Sequence, residues 1–188
     1  MKTTGVVRRI DDLGRIVIPK EIRKTLRIKD GESLEIFLES DNIVLKKYSH
    51  LENIRDFYKS YVDSIYAAIG ENIMIVDRDN IVAVAGELKK KYLDKNISGE
   101  IDNVIQNRTT IIQSEFKEVS LTPDTNELVS YAMSPIIING DAVGAVMILS
   151  KDRKLDEFEE KTVDIAAKFL GKYIEWLEIV CYNLYIKF

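Results

Sequence analysis

The chain has one cysteine, Cys181, and one histidine, His50, in 188 residues. A lone cysteine excludes an internal disulfide framework and fits a reducing compartment. His50 falls in an inter-domain segment and Cys181 in the tail, so the pair makes no nucleophile and base constellation, and no Cys/His cluster has zinc spacing. They read as a linker side chain and a small apolar residue of a terminal helix. No phosphate-loop pattern occurs, and no secretory signal opens the chain. The apolar tail from Glu175 to Phe188 is short and carries Glu175, Glu178, Asn183 and Lys187, which argues against a membrane span and for packing on a partner helix. These absences point away from catalysis, cofactors, metals and membranes, and toward a cytoplasmic protein.

What is present is charge held in one place. Residues 1–29 carry nine cations against three anions, a net +6, in a chain whose net charge is −4; residues 30–188 therefore carry −10. An acidic protein with its positive charge concentrated in one short segment has a localised field suited to phosphate attraction. Within that segment Val6, Val7, Ile10, Ile16, Val17 and Ile18 have the β-branched bias of extended backbone, and Asp11-Asp12-Leu13-Gly14 supplies a connection whose glycine takes positive φ. Arg8 and Arg15 flank that loop. Pro19 suits the first turn of a helix, predicted over Lys20 to Arg27, on which Lys20, Arg23, Lys24 and Arg27 form a cationic stripe opposite Ile22 and Leu26. An isolated basic stripe is most often a solvated face. Arginine beside lysine adds the capacity to read guanine edges as well as phosphates. A second hairpin follows: Leu34, Ile36 and Leu38 alternate with Glu35, Phe37 and Glu39, and Ser40-Asp41-Asn42 turns the chain into Ile43-Val44-Leu45-Lys46.

Thr4-Gly5-Val6-Val7-Arg8, Asp11, Leu13-Gly14-Arg15-Ile16-Val17-Ile18-Pro19, Glu21-Ile22-Arg23-Lys24-Thr25-Leu26 and Leu45-Lys46-Lys47-Tyr48 together resemble the swapped-hairpin DNA-binding domain of the AbrB family of bacterial transition-state and sporulation regulators. The resemblance implies that two chains exchange hairpins to build one mainly β barrel. It also implies that Arg8, Arg15, Arg23 and Lys24 face double-stranded DNA of A·T-rich promoter regions, with Lys2, Arg9, Lys20 and Arg27 in second rank. Size supports the dimer independently, because about fifty residues sit near the lower limit for a self-sufficient core.

Beyond Ser49, the Ser-x-x-Glu spacing of Ser49 and Glu52 reads as a capping box. Leu51, Ile54, Tyr58, Tyr61, Ile65 and Ala68 then step by three and four, the spacing of a short coiled-coil seam, and the first five are the expected oligomerisation residues. An ordinary core helix is the plainer reading of the same residues. Strands are expected at 73–76, 81–84, 111–112 and 116–121, with a helix over 99–107. Tyr131–Ile138 and Ala142–Leu149, joined by Asn139-Gly140-Asp141, form the strongest hairpin signal in the chain. A long helix follows from Leu155, with Phe158, Thr162, Ile165, Phe169, Tyr173 and Trp176 at helical spacing. An α+β domain, an antiparallel sheet flanked by helices, follows from this order.

Ser134-Pro135-Ile136 to Gly144-Ala145-Val146-Met147 and the helix–sheet–helix order resemble GAF domains, the small-molecule sensor modules. The cysteine, bilin and cyclic-nucleotide signatures of such domains are absent, so the effector is not named by sequence. The expected organisation is an AbrB-like domain over 1–50, a GAF-like sensor and oligomerisation domain over 51–178 and a helical extension over 179–188. The whole order resembles sporulation regulators that bind DNA as a dimer of dimers, at the nucleoid. A sensor with incidental DNA binding, and an antitoxin-like protein that sequesters a partner, are the rival readings.

Overall fold

The computed structural model describes the backbone of residues 6–28, 30–31, 33–47 and 54–185, and side chains as far as Ile179. The chain divides into two compact units, Met1–Tyr48 and Ser49–Phe188.

In the first unit the loop forms where Asp-Asp-Leu-Gly places it. The Asp11 amide donates to the Arg15 carbonyl oxygen at 3.0 Å, the Gly14 amide to the Asp11 carbonyl oxygen at 2.9 Å, and Gly14 takes φ +76°. Helix α1 spans Lys20–Thr25 behind Pro19, two residues shorter than the sequence suggests. Leu26 closes it and Arg27 turns left-handed at φ +53°, which removes Arg27 from the helical stripe. Strands β1 (Leu34–Glu39) and β2 (Asn42–Lys47) pair antiparallel, with Ile36 opposite Leu45 and Leu38 opposite Ile43. The flanks of the first loop, 6–10 and 15–18, have no ladder partner among the described residues.

The consequence is a unit without a closed core. Of its described hydrophobic residues none belongs to the buried set, and Val7 and Leu38 are 86% and 80% exposed. Leu26, expected to face inward, is also exposed. The sheet is open in the monomer.

The second unit is complete in itself. Strands β3 (Asn72–Asp77), β4 (Ile81–Ala85), β5 (Ile111–Thr122), β6 (Thr125–Ile138) and β7 (Asp141–Ser150) form one antiparallel sheet in the order β4-β3-β7-β6-β5. The β6–β7 turn is made by Asn139 and Gly140 at φ +49° and +86°, the conformation that Asn-Gly supplies to a two-residue hairpin. Successive residues of a strand point to opposite faces, so a strand covered on both faces is apolar throughout. Thus Ile73, Ile75, Val146 and Ile148 meet α2 (Arg55–Ile69) and α5 (Glu157–Tyr185), while Met74, Val76, Met147 and Leu149 lie in a second core with Ile101 and Ile105 of α4 (Gly99–Asn107) and Tyr92 of the short α3 (Lys89–Tyr92). Each fully buried aliphatic side chain contributes about 1.5–3 kcal/mol. Ser98 caps α4 by accepting from the Ile101 amide at 3.2 Å. Helix α5 runs unbroken through residues 175–185.

Helix α5 meets the sheet through Val163, Ala166, Ala167, Leu170 and Ile174. Gly171 explains the small residues: a Cβ there would stand 2.4 Å from the Ile137 carbonyl oxygen of β6. The larger side chains at helical spacing, Phe158, Ile165, Phe169 and Trp176, therefore face outward, opposite to a core stripe. Among the described residues no helix is long and apolar enough to cross a membrane.

Candidate nucleic-acid interface

The loop that carries Arg15 is organised by Asp11, a residue the sequence reading left out of the site. Its Oδ1 accepts from the Leu13 amide at 3.0 Å and the Arg15 amide at 2.8 Å, and its Oδ2 pairs with Arg15 Nε at 2.7 Å. The Arg15 amide first, and its guanidinium next, hold the Asp11 carboxyl below the usual carboxylate range. An aspartate bonding its own backbone two residues on is a common loop device, and Asp before Leu-Gly-Arg was the available signal. Arg15 is thereby fixed at its Nε edge.

Arg8 is exposed, with Nη1 donating to the Val7 carbonyl oxygen at 3.1 Å. Arg9, Lys20 and Lys24 are exposed as well. Arg23 is half-buried and pairs with Asp30, which ties α1 to the segment after it. Asp30 also escaped the sequence reading. Lys20, Arg23 and Lys24 share one turn or so of α1, whereas Arg27 lies past its end. Lys2 lies outside the described residues. The unit thus presents a loop arginine held by a carboxylate, a second arginine on the extended flank, and a basic helical turn. These are donors for base edges and phosphates.

The expected oligomerisation seam is divided by the structure. Leu51 lies outside the described residues. Tyr58 is fully buried in its own domain, where burial, then Asp77 and Tyr173, push its hydroxyl far above the ordinary tyrosine range. It faces the sheet and not a second chain, because α2 packs on β3 and β4 through Tyr58 and Val62. Ile54, Tyr61 and Ile65 are half-buried against the same core. The exposed apolar face lies further round. Phe57 stacks on Tyr173 at 4.5 Å and Tyr61 on Phe169 at 5.6 Å, and Trp176, 56% exposed, continues the row at 6.2 Å from Tyr173.

Comparison with known proteins assigns both units. Residues 53–175 match the family described as Stage V sporulation protein T C-terminal, transcription factor, and residues 7–52 match the family described as Antidote-toxin recognition MazE, bacterial antitoxin. The chain is 48% identical over 177 residues to Stage V sporulation protein T of Bacillus subtilis (strain 168), covering 93% of this chain and 99% of that protein. It is 37% identical over 108 residues to the transition state regulatory protein AbrB of the same organism, covering 57% of this chain and 96% of that protein. The second unit has the fold of the GAF domain of Thermosynechococcus elongatus PixJ, with a TM-score of 0.57 at 13% identity over 73% of this chain and 94% of that one. An AbrB-like unit open in the monomer and a GAF-like α+β unit, in that order and with that identity over nearly the whole length, make the chain a member of the Stage V sporulation protein T family.

Proposed function

We propose that the protein is a sequence-specific DNA-binding transcription regulator of spore-development genes, acting in the cytoplasm at the nucleoid, with a regulatory and not a catalytic second domain. One observation carries the reading: the basic residues sit on a unit whose apolar side chains are left exposed. Exposed apolar residues on this scale are a liability unless another surface covers them. The same unit of a second chain, exchanging hairpins, supplies the missing strands beside residues 6–10 and 15–18 and doubles the cationic surface.

Arg8 and Arg15 then contact base edges in the groove, Arg23 and Lys24 contact phosphates, and Arg9, Lys20 and Lys2 reinforce the field. The stacked face of Phe57, Tyr61, Phe169, Tyr173 and Trp176, with Ile165 beside it, joins two such dimers through their GAF-like domains. This replaces the seam centred on Tyr58. A·T-rich promoter DNA is the expected operator class.

The test is fluorescence anisotropy of the full chain with a promoter-derived duplex and a scrambled duplex over a salt series. Arg15→Ala is expected to remove most of the preference for the promoter sequence. Lys24→Ala is expected to weaken both duplexes alike and to flatten the salt dependence by about one unit of slope. Equal effects of the two substitutions on both duplexes refute the division of roles.

A further inference from the structure

The chain has ten asparagines, and nine of them precede a residue that carries a side chain, isoleucine in five cases. Asn139 alone precedes glycine. With Gly140 it forms the β6–β7 turn, and both residues are exposed. Nothing stands within 4 Å of the position a Cβ on Gly140 would take, so solvent reaches the turn from that side.

A backbone amide nitrogen can attack the side-chain carboxamide of the residue before it. At this turn the Gly140 nitrogen forms a bond to Asn139 Cγ, the Cγ–Nδ2 bond breaks, and the Gly140 amide proton leaves with the displaced nitrogen as ammonia. Water then opens the cyclic imide at either carbonyl, which gives aspartate or isoaspartate. Water is the one co-reactant, and nothing is oxidised or reduced. A side chain on the following residue shields the nitrogen and resists the rotation that brings it onto Cγ; glycine does neither.

The fold holds this turn at three points. The Asn139 amide donates to Glu175 Oε1 at 3.0 Å, Asn139 Nδ2 to Glu178 Oε2 at 3.3 Å, and Arg108 Nη1 to the Gly140 carbonyl oxygen at 2.7 Å. Attack requires the Asn139 side chain to leave Glu178 and the turn to rotate, so it starts from an opened tip, at a rate set by how often these contacts release. We propose that Asn139 is a deamidation site of the folded protein, gated by the grip of α5 and Arg108 on the hairpin tip, and that its conversion releases the tip from α5.

The product inverts the chemistry of the tie. A carboxamide that donates to Glu178 becomes a carboxylate that faces it. Around the tip two cations, Arg108 and Lys172, stand against three carboxylates, Asp141, Glu175 and Glu178, a net −1 that conversion takes to −2. Isoaspartate also routes the backbone through Cβ, and the longer turn no longer matches the pairing of Ile138 with Asp141. Either product frees the hairpin from the part of α5 that carries Tyr173 and Trp176. The modification is independent of the DNA-binding reading; its consequence for assembly rests on the reading of that aromatic face as an interface between copies.

The full chain is incubated at neutral and mildly alkaline pH and followed by peptide mass spectrometry with fragmentation that separates aspartate from isoaspartate. The expected result is an amide-to-acid mass gain confined to the peptide that holds Asn139, a mixture of both products, and a rate that rises with pH. Arg108→Ala and Glu175→Ala each remove one charged hydrogen bond from the tip and are expected to speed conversion about tenfold. Lys161→Ala, on α5 and away from the tip, is expected to leave the rate unchanged. Asn139→Asp, a homogeneous form of one product, is expected to lower Tm and to shift the chain toward smaller assemblies in native mass spectrometry. Asn139 staying intact while the urea-unfolded chain converts overturns the proposal, as does conversion at one rate in wild type and both tip variants. A wild-type Tm in Asn139→Asp overturns the release of the hairpin, whereas a lowered Tm with unchanged assembly supports the release and counts against the aromatic interface.

Discussion

Gly171→Ala is expected to destabilise the second unit, although alanine is the better helix former. In a solvated helix the exchange gains about 1 kcal/mol. Here the new methyl meets the Ile137 carbonyl oxygen at 2.4 Å, where ordinary contact begins at 3.4 Å. The obstacle is backbone, Ile137 of β6 being paired with Ala142 of β7, and a carbonyl in a sheet does not rotate aside as a side chain does. Helix α5 must withdraw by about 1 Å, a gap that forfeits a quarter to a half of each dispersion contact made by Val163, Ala167, Leu170 and Ile174. Overpacking of this kind costs about 1–3 kcal/mol, and a rigid backbone obstacle places it at the upper end. Subtracting the helix gain leaves a net loss of about 2 kcal/mol, which lowers Tm by about 4–8 °C in a chain of this size. Thermal unfolding of the full chain followed by circular dichroism reads this directly. Gly99→Ala, at the start of α4 with nothing within 4 Å of the new Cβ, is the control and should be neutral. A Tm raised by Gly171→Ala refutes the close approach of α5 to β6.

Asp11→Ala makes the first unit more positive, yet it should weaken binding to the promoter duplex, because three hydrogen bonds that set the Arg15 loop are lost. Anisotropy showing tighter specific binding contradicts this. Glu127 receives hydrogen bonds from Lys91 Nζ and the Tyr92 hydroxyl, both at 2.6 Å. Burial pushes its carboxyl up, but Lys91, Tyr92 and Lys151 together outweigh that and leave it below its ordinary value. A depressed carboxylate stabilises the fold above its unfolded pKa and ceases to do so as pH falls through its lower folded one. The Tm advantage of wild type over Glu127→Gln should therefore be full at neutral pH and vanish in acid; an advantage that grows on acidification sinks the assignment.

Much of the fold was legible because local chemistry and tertiary structure agree. Asn139-Gly140 made its turn, Gly14 its positive φ, Pro19 its helix start, and the apolar runs around Ile75 and Met147 their doubly covered strands. The failures have physical causes. Periodicity placed Phe158, Ile165, Phe169 and Trp176 on one stripe of α5 without saying which way it faced. The direction was decided by size, since a helix pressed against β6 at Gly171 admits Ala166 and Ala167 and not aromatic rings. The spacing on α2 was ambiguous for a related reason: the helix is apolar on more than one side, and the sheet takes Tyr58 and Val62. In the first unit, positive charge advertised the cations, whereas Asp11, read only as a loop residue, and Asp30, counted only in the net charge, carry the opposite sign and position Arg15 and Arg23.

The central claim is that the first unit is half of a DNA-binding module. Native mass spectrometry of the full chain mixed with promoter-derived and scrambled duplexes counts chains per duplex in one experiment. The account predicts only even numbers of chains on the DNA, with the promoter duplex occupied preferentially. A complex of one chain with one duplex, or equal occupancy of the two duplexes, contradicts it.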